Sequence, residues 1–131
     1  MTKPLNSILM VEDEPDIQTV AKLALESIGG FTIHVCSSGQ EAIDAAPGLQ
    51  VDLILLDVMM PGMDGPSTLQ ALRKLPETAN TPVVFMTAKV QPQEVLQYKE
   101  YGAIDVIPKP FDPMNLSDNL RDIWEQYQEN N

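Results

Sequence analysis

The sequence predicts an α/β fold, a doubly wound parallel sheet of five strands with helices on both faces. Two observations carry that expectation. Apolar runs alternate with helix-period segments five times, so the 131 residues read as one βα unit used five times, (βα)5. No low-complexity tract, longer internal repeat or Gly/Ser-rich linker breaks the alternation. Right-handed crossovers then narrow the topology to a doubly wound sheet, with strand order 2-1-3-4-5 the common arrangement at this size. Ligands of such sheets sit outside the carboxyl ends of the strands, so function is to be sought where strands 1, 3, 4 and 5 end.

The strand candidates are Ile8 to Val11, Phe31 to Val35, Leu53 to Leu56, Val83 to Met86 and Ala103 to Ile107. Between the first two, Ile17, Val20, Ala21, Ala24, Leu25 and Ile28 fall at i, i+3, i+4, i+7, i+8 and i+11. That is one apolar face of a helix, with Gly29-Gly30 as its stop. The second helix opens on a capping box, Ser38 with Glu41 at the third helical position. It turns Ala42, Ile43 and Ala46 inward and ends at Pro47-Gly48. A third follows Gly65-Pro66, where proline suits the first turn, and buries Leu69 and Leu72. The fourth, around Pro92 to Glu100, has few apolar anchors beyond Val95 and Leu96. The last starts at Asp112-Pro113, read as N-cap and first helical position, and presents Leu116, Leu120, Ile123, Trp124 and Tyr127 at helical spacing.

At 131 residues the chain is expected to be one domain, spanning 1–131 with a core of about 6–127. Hydrophobic residues make up 44% and charged residues 21%, which is too apolar for a disordered acidic tail. The single cysteine, Cys36, excludes an intramolecular disulfide and fits a reducing, cytoplasmic setting. A catalytic thiol is not expected there, because the only histidine, His34, lies two residues away on the same strand. The N-terminal MTKPLNS has no apolar signal core, and no window reaches the ~20 apolar residues of a membrane span, so a soluble, unexported protein is expected. The formal charge is -11, from 19 acidic and 8 basic residues with no basic run. Binding to a phosphate backbone requires Lys and Arg, so direct nucleic-acid binding by this chain is not expected.

The strand ends carry the chemistry. Strand 1 runs into Glu12 and Asp13, strand 3 ends in Asp57, strand 4 in Thr87 and Ala88, and strand 5 leads to Lys109. Each residue has an ordinary alternative role: carboxylates at a helix N-terminus, a threonine in a turn, a lysine in solvent. Together they set three carboxylates, a hydroxyl and an ammonium on one rim, where like charges raise one another's pKa unless a cation is present. Hard carboxylate oxygens without Cys or His ligands indicate Mg2+, with Mn2+ an alternative, and do not indicate zinc. A divalent ion beside an aspartate, a lysine and a hydroxyl suits phosphoryl transfer.

Glu12-Asp13 after an apolar strand, "LILLDVMMPGMDG" around Asp57, "MTA" at Thr87 and "GAIDVIPKPF" ending in Lys109-Pro110 resemble the receiver domain of two-component response regulators. In length the chain is similar to single-domain, chemotaxis-type receivers, and the likeness runs from about Ile8 to Tyr127. The resemblance implies a flavodoxin-like fold in which Asp57 accepts phosphate from a phosphohistidine on a sensor kinase or phosphotransfer protein. It further implies that Asp13, Asp57 and the Met59 backbone carbonyl ligate Mg2+, with Glu12 holding metal-bound water. Lys109 is implied to pair with the acyl phosphate, Thr87 to bond a phosphoryl oxygen, and Lys109-Pro110 to be a cis peptide. The Ala88 N–H is a further candidate phosphate donor, and the small Ala88 side chain leaves room for a bulky phosphodonor. The chain is then expected to be a phospho-acceptor signalling protein, not an enzyme that turns over substrate. Its output face is implied to be helix 4, strand 5 and helix 5, through which a downstream protein binds and a homodimer would also form.

Three positions depart from the pattern. Val106 stands where many receivers carry an aromatic that follows the threonine, so helix 4, with its sparse anchors, is expected to carry the switch instead. Met59 and Lys89 flank the phosphoryl position, and Met59 cannot orient an attacking water, which predicts a long-lived phosphoaspartate. Three other readings compete. A Mg2+-dependent phosphatase of the haloacid-dehalogenase kind needs a second acid two residues after the nucleophile, where this chain has Met59. An FMN carrier needs a hydroxyl- and glycine-rich loop after strand 1, where "EDEPD" would repel phosphate. A receiver-fold scaffold takes up no phosphate at all. The kinase, the signal and the output are not written in these residues, nor is the presence of a following output domain.

Overall fold

The computed structural model describes residues 3–130. The outermost limits of the expected domain, residues 1, 2 and 131, lie outside the described residues. Five strands, β1 (Ser7–Val11), β2 (Thr32–Cys36), β3 (Leu53–Asp57), β4 (Val83–Thr87) and β5 (Asp105–Pro108), form one sheet in the order 2-1-3-4-5. All the pairings are parallel, with Val11 beside Leu56 and Asp57 beside Met86, so the C-terminal ends of β1, β3 and β4 meet along one rim. The helices are α1 (Pro15–Leu23), continued by a π turn over Ala24–Ile28, α2 (Gly39–Ala45), α3 (Gly65–Arg73), α4 (Pro92–Tyr101) and α5 (Leu116–Glu129). Among the described residues, no helix is long and apolar enough to cross a membrane.

Strand alternation sorts the core into two halves. Ile8, Met10, Leu53, Leu55, Val84 and Met86 face one side and pack with Leu25, Leu120 and Trp124 of the α1/α5 layer. Leu9, Val11, Ile54, Leu56 and Phe85 face the other side with Leu69 and Leu72 of α3 and Tyr98 of α4. Leu53 to Leu56 are all fully buried, each stabilising the fold by about 1.5–3 kcal/mol, so β3, the central strand, is held by the core on both faces. Anything attached to its end is held just as firmly.

Several boundaries differ from expectation. Phe31 is buried but precedes β2, and Ala103 and Ile104 precede β5, although the Ile104 N–H already bonds the Val83 carbonyl at 2.8 Å. Val20 and Ile28, expected in the core, are exposed. The π turn, closed by the Gly29 N–H on the Ala24 carbonyl, widens the last turn and carries Ile28 off the buried stripe. Only half of the expected capping box is recorded: Ser38 Oγ accepts the Glu41 N–H at 3.0 Å. Helix α5 begins at Leu116, not at Pro113, because the Asp112 carboxylate accepts the Met114 N–H at 2.9 Å and the Asn115 amide at 3.0 Å and caps a separate turn. In α4, Leu96 is exposed, and the anchor is Tyr98, edge-on to Phe85 at 5.6 Å between ring centroids.

Candidate functional site

The rim is built by strand ends that deliver polar side chains from an apolar interior. Glu12 follows β1 and is fully buried; its N–H bonds the Cys36 carbonyl at 3.0 Å, which extends the β1/β2 ladder by one residue. Its Oε2 accepts the Glu14 N–H at 3.1 Å. Asp57 closes β3 and is 2% exposed. Asp13, half-buried beside them, keeps an Oδ1 that is buried and has no hydrogen-bond partner. One oxygen from each of Glu12, Asp13 and Asp57 lies within 4.8 Å of the others.

Lys109 answers these carboxylates from the far side of the sheet. Its Nζ lies 2.6 Å from Glu12 Oε1 and 3.2 Å from Asp57 Oδ1, and its side chain is 15% exposed. The Lys109 N–H bonds the Thr87 carbonyl at 2.9 Å, and the Lys109-Pro110 bond is cis. The loop after β3 closes over Asp57 from above: the Met59 N–H reaches Asp57 Oδ1 at 3.3 Å. Gly65 permits this return, because a Cβ there would stand 2.6 Å from the Asp57 carbonyl oxygen and 2.8 Å from Val58 Cα. The Gly65 N–H then bonds the Val58 carbonyl at 2.8 Å. The sequence signal for that contact was present, a glycine eight residues after the aspartate, but ordinary loop chemistry explains such a glycine equally well.

Burial, and then the Glu12 carboxylate, push Asp57 up to about 7, and Lys109 offsets only part of this. Burial alone would lower Lys109, but Glu12 and Asp57 outweigh it and hold the ammonium above its ordinary range. Three carboxylates against one ammonium, with an orphaned Asp13 oxygen aimed among them, suit a hard divalent cation with oxygen ligands. Thr87 is buried at the end of β4, and its Oγ1 accepts the Lys89 N–H at 3.1 Å. Ala88 and Lys89 are exposed beyond it, and the Met59 side chain is 61% exposed. Val106 lies apart from the rim, half-buried next to Phe85 in the β4/β5 ladder. The structure therefore brings together Glu12, Asp13, Asp57, Met59, Thr87 and Lys109, and leaves Val106 on the face below.

Residues 8–121 match the model of the response regulator receiver domain. The chain is 38% identical over 132 residues to the transcriptional regulatory protein CpxR of Escherichia coli, covering 97% of this chain and 55% of that protein. It is 43% identical over 111 residues to the transcriptional regulatory protein SrrA of Staphylococcus aureus, covering 85% and 44%. The chain thus spans about half the length of the curated relatives it matches. Among solved structures, the chemotaxis response regulator CheY4 of Vibrio cholerae superposes with a TM-score of 0.83 at 28% identity, over 91% of this chain and 98% of that one. The receiver domain of the sensor histidine kinase PA1611 of Pseudomonas aeruginosa, solved with magnesium in its active-site cleft, gives 0.79 at 28% identity, over 94% and 99%. With five parallel strands in the expected order and an acidic rim where the family model lies across them, the chain belongs to the receiver domain family of two-component response regulators.

Proposed function

We propose that this chain is a single phospho-accepting receiver unit in which Asp57 takes a phosphoryl group from a phosphohistidine of a sensor kinase or phosphotransfer protein. The observation that carries the proposal is the placement of Asp57: a buried carboxylate at the end of a fully buried central strand, 3.2 Å from the Lys109 ammonium. An Asp57 oxygen attacks phosphorus as the P–N bond to the donor imidazole breaks. The bonding pair stays on the imidazole nitrogen, and an acyl phosphate is left on Asp57. Lys109 neutralises one phosphoryl oxygen, the Thr87 hydroxyl donates to another, and the Ala88 N–H is the further candidate donor.

Asp13, Asp57 and the Met59 carbonyl would hold Mg2+, or Mn2+ in its place, with Glu12 on a metal-bound water; the bound ion supplies charge neutralisation for the phosphoryl oxygens. Turnover of small phosphate esters is not part of this function, since Met59 stands where a leaving-group acid would be required. A cytoplasmic setting fits this role, and the acidic surface fits action by protein contact in place of nucleic-acid contact. Intact-mass measurement after treatment with acetyl phosphate and Mg2+ tests the proposal. One added phosphate that is lost in Asp57→Asn is the expected result. No gain in the wild-type chain would reduce the protein to a receiver-fold scaffold.

A further inference from the structure

Glu12 and Asp13 are neighbours in the loop between β1 and α1, yet they are held in different ways. Glu12 is fixed through its own carboxylate, which meets the Lys109 ammonium at 2.6 Å and accepts the Glu14 N–H at 3.1 Å. Asp13 is not, because its buried Oδ1 has no hydrogen-bond partner. Its place among the three carboxylates therefore depends on the backbone that carries it. The start of α1 gives that backbone little help: Glu14 at the N-cap makes no side-chain cap bond, and Pro15 has no N–H to donate.

Gln18 supplies the missing support. Half-buried on α1, it sends its amide six residues back along the chain, where Nε2 donates to the Glu12 carbonyl. The same nitrogen donates to Ser37 Oγ, 3.1 Å away in the loop after β2. A carbonyl only accepts, so the end of the amide turned toward Glu12 is the NH2. The Glu12 carbonyl belongs to the peptide that joins Glu12 to Asp13. That unit is planar, so a bond to its oxygen sets the direction in which the chain delivers Asp13 Cα. The preceding peptide is tied as well, since the Glu12 N–H bonds the Cys36 carbonyl at 3.0 Å. One tie runs to β2 and the other to α1, and Ser37 joins the two. We propose that Gln18 is a positioning residue of the acidic rim: by holding the Glu12–Asp13 peptide it keeps the Asp13 carboxylate in place for Mg2+. The inference rests on the reading of Asp13 and Asp57 as metal ligands and adds a residue that touches neither the metal nor the phosphoryl group.

Isothermal titration calorimetry of the full chain with Mg2+ tests it. Gln18→Met keeps the length of the side chain and removes the NH2, and it should weaken Mg2+ binding roughly tenfold. Ser37→Ala leaves the Glu12 bond in place and should weaken binding less. The double variant should lose no more than Gln18→Met alone, because both changes act through one amide. Thr19→Ala disturbs the same helix by removing the bond from its hydroxyl to the Pro15 carbonyl, and should leave the affinity nearly unchanged. With acetyl phosphate as donor, Gln18→Met should need roughly ten times more Mg2+ for half-maximal phosphorylation but reach the wild-type rate at saturating Mg2+. A merely structural glutamine would lower the melting temperature in chelator and leave the Mg2+ affinity as it was. That result would overturn the proposal, as would equal weakening by Thr19→Ala or a wild-type chain that binds no Mg2+. Mg2+ binding that depends on Gln18, in a chain that takes up no phosphate, would instead sink the phospho-acceptor reading and leave this one standing.

Discussion

Asp52, the residue just before β3, and Asp57, the last residue of β3, flank the same strand, and their carboxyl groups are driven in opposite directions. Burial works against the charge of Asp52, but the Lys3 ammonium at 2.8 Å and the N–H groups of Ser7 and Asn6, at 3.0 and 2.9 Å, hold its pKa below the ordinary carboxylate value. Asp57 is buried as well, yet its nearest neighbours include a second acid, Glu12, and its pKa rises to about 7. The lower end of the sheet is electrostatically complete within the chain. The upper end is not, and its surplus negative charge is what a divalent cation and a phosphoryl group would settle. Rigid placement is common to both ends, so it is the unmet charge that separates a binding rim from a structural clamp.

The largest effect is expected where Lys109, the one cation paired with the upper-rim carboxylates among the described residues, is removed. Lys109→Met keeps the alkyl stem but leaves Glu12 and Asp57 facing each other unpaired, and a buried pair broken in this way costs about 3–5 kcal/mol at neutral pH. Urea unfolding in the presence of a chelator reads this loss. If stability fell by less than about 1 kcal/mol, as surface pairs do, the rim would be behaving as a solvated surface and the contrast with Asp52 would collapse.

Next in size is the same test at the lower end. Asp52→Asn should lose about 1–2 kcal/mol at pH 7, because three donors lose their charged acceptor. The sign follows from the depressed pKa: the stabilisation is present above the unfolded-state value and is lost as pH falls through the folded-state value. Wild type and variant should therefore converge in acid. The corresponding change at the upper end, Asp57→Asn, should have the opposite sign. A raised pKa means that wild-type stability falls as pH climbs from the unfolded value of 3.8 toward about 7 and is level beyond it. At pH 8, with chelator, the asparagine variant should be the more stable by about 1 kcal/mol, a figure kept small because the substitution also removes the attraction between Asp57 and Lys109. Two Asp→Asn variants shifting stability in the same direction would show that the two carboxylates do not differ as described.

The two ends also differ in how well they could be read from the chain. Glu12, Asp13, Asp57, Thr87 and Lys109 were legible because each follows directly on an apolar run, and a parallel sheet brings such positions to one rim whatever the loops do. Nothing comparable marks Asp52. Its partners lie 45 or more residues away, and only the pairing of β1 with β3 brings Asn6 and Ser7 to it. Helix faces were legible only while the 3.6-residue period held. Val20 and Ile28 fit the pattern but not the core: Ile28 is displaced by a π turn, which changes the period where sequence spacing alone gives no warning, and Val20 lies at the exposed edge of a stripe whose buried line runs through Ala21, Ala24 and Leu25. Tyr98 was missed for another reason: a single aromatic among polar residues has no periodicity, although it alone of α4 is buried. The start of α5 was misread because Asp112-Pro113 is equally good chemistry for a turn and for a helix cap.

The smallest effect concerns the lifetime of the charge placed on the upper rim. Met59 approaches Asp57 through its backbone, with the N–H at 3.3 Å from Oδ1, while its side chain is 61% exposed and presents a thioether to any water approaching the phosphoryl group. A thioether is a poor acceptor and no donor, so that water receives no orientation from position 59. An amide there could supply one hydrogen bond, and a net gain of about 0.5–1.5 kcal/mol in the transition state corresponds to roughly twofold to tenfold faster hydrolysis. Met59→Asn should therefore shorten the phosphoaspartate lifetime by that factor, measured as loss of the added phosphate by intact mass after acetyl phosphate is removed. The backbone contact to Asp57 is unaffected by the substitution, so the extent of phosphorylation at saturating donor should stay the same. An unchanged decay rate would mean that water reaches the phosphoryl group from a direction Met59 does not border, and the expectation of a long lifetime would lose its basis.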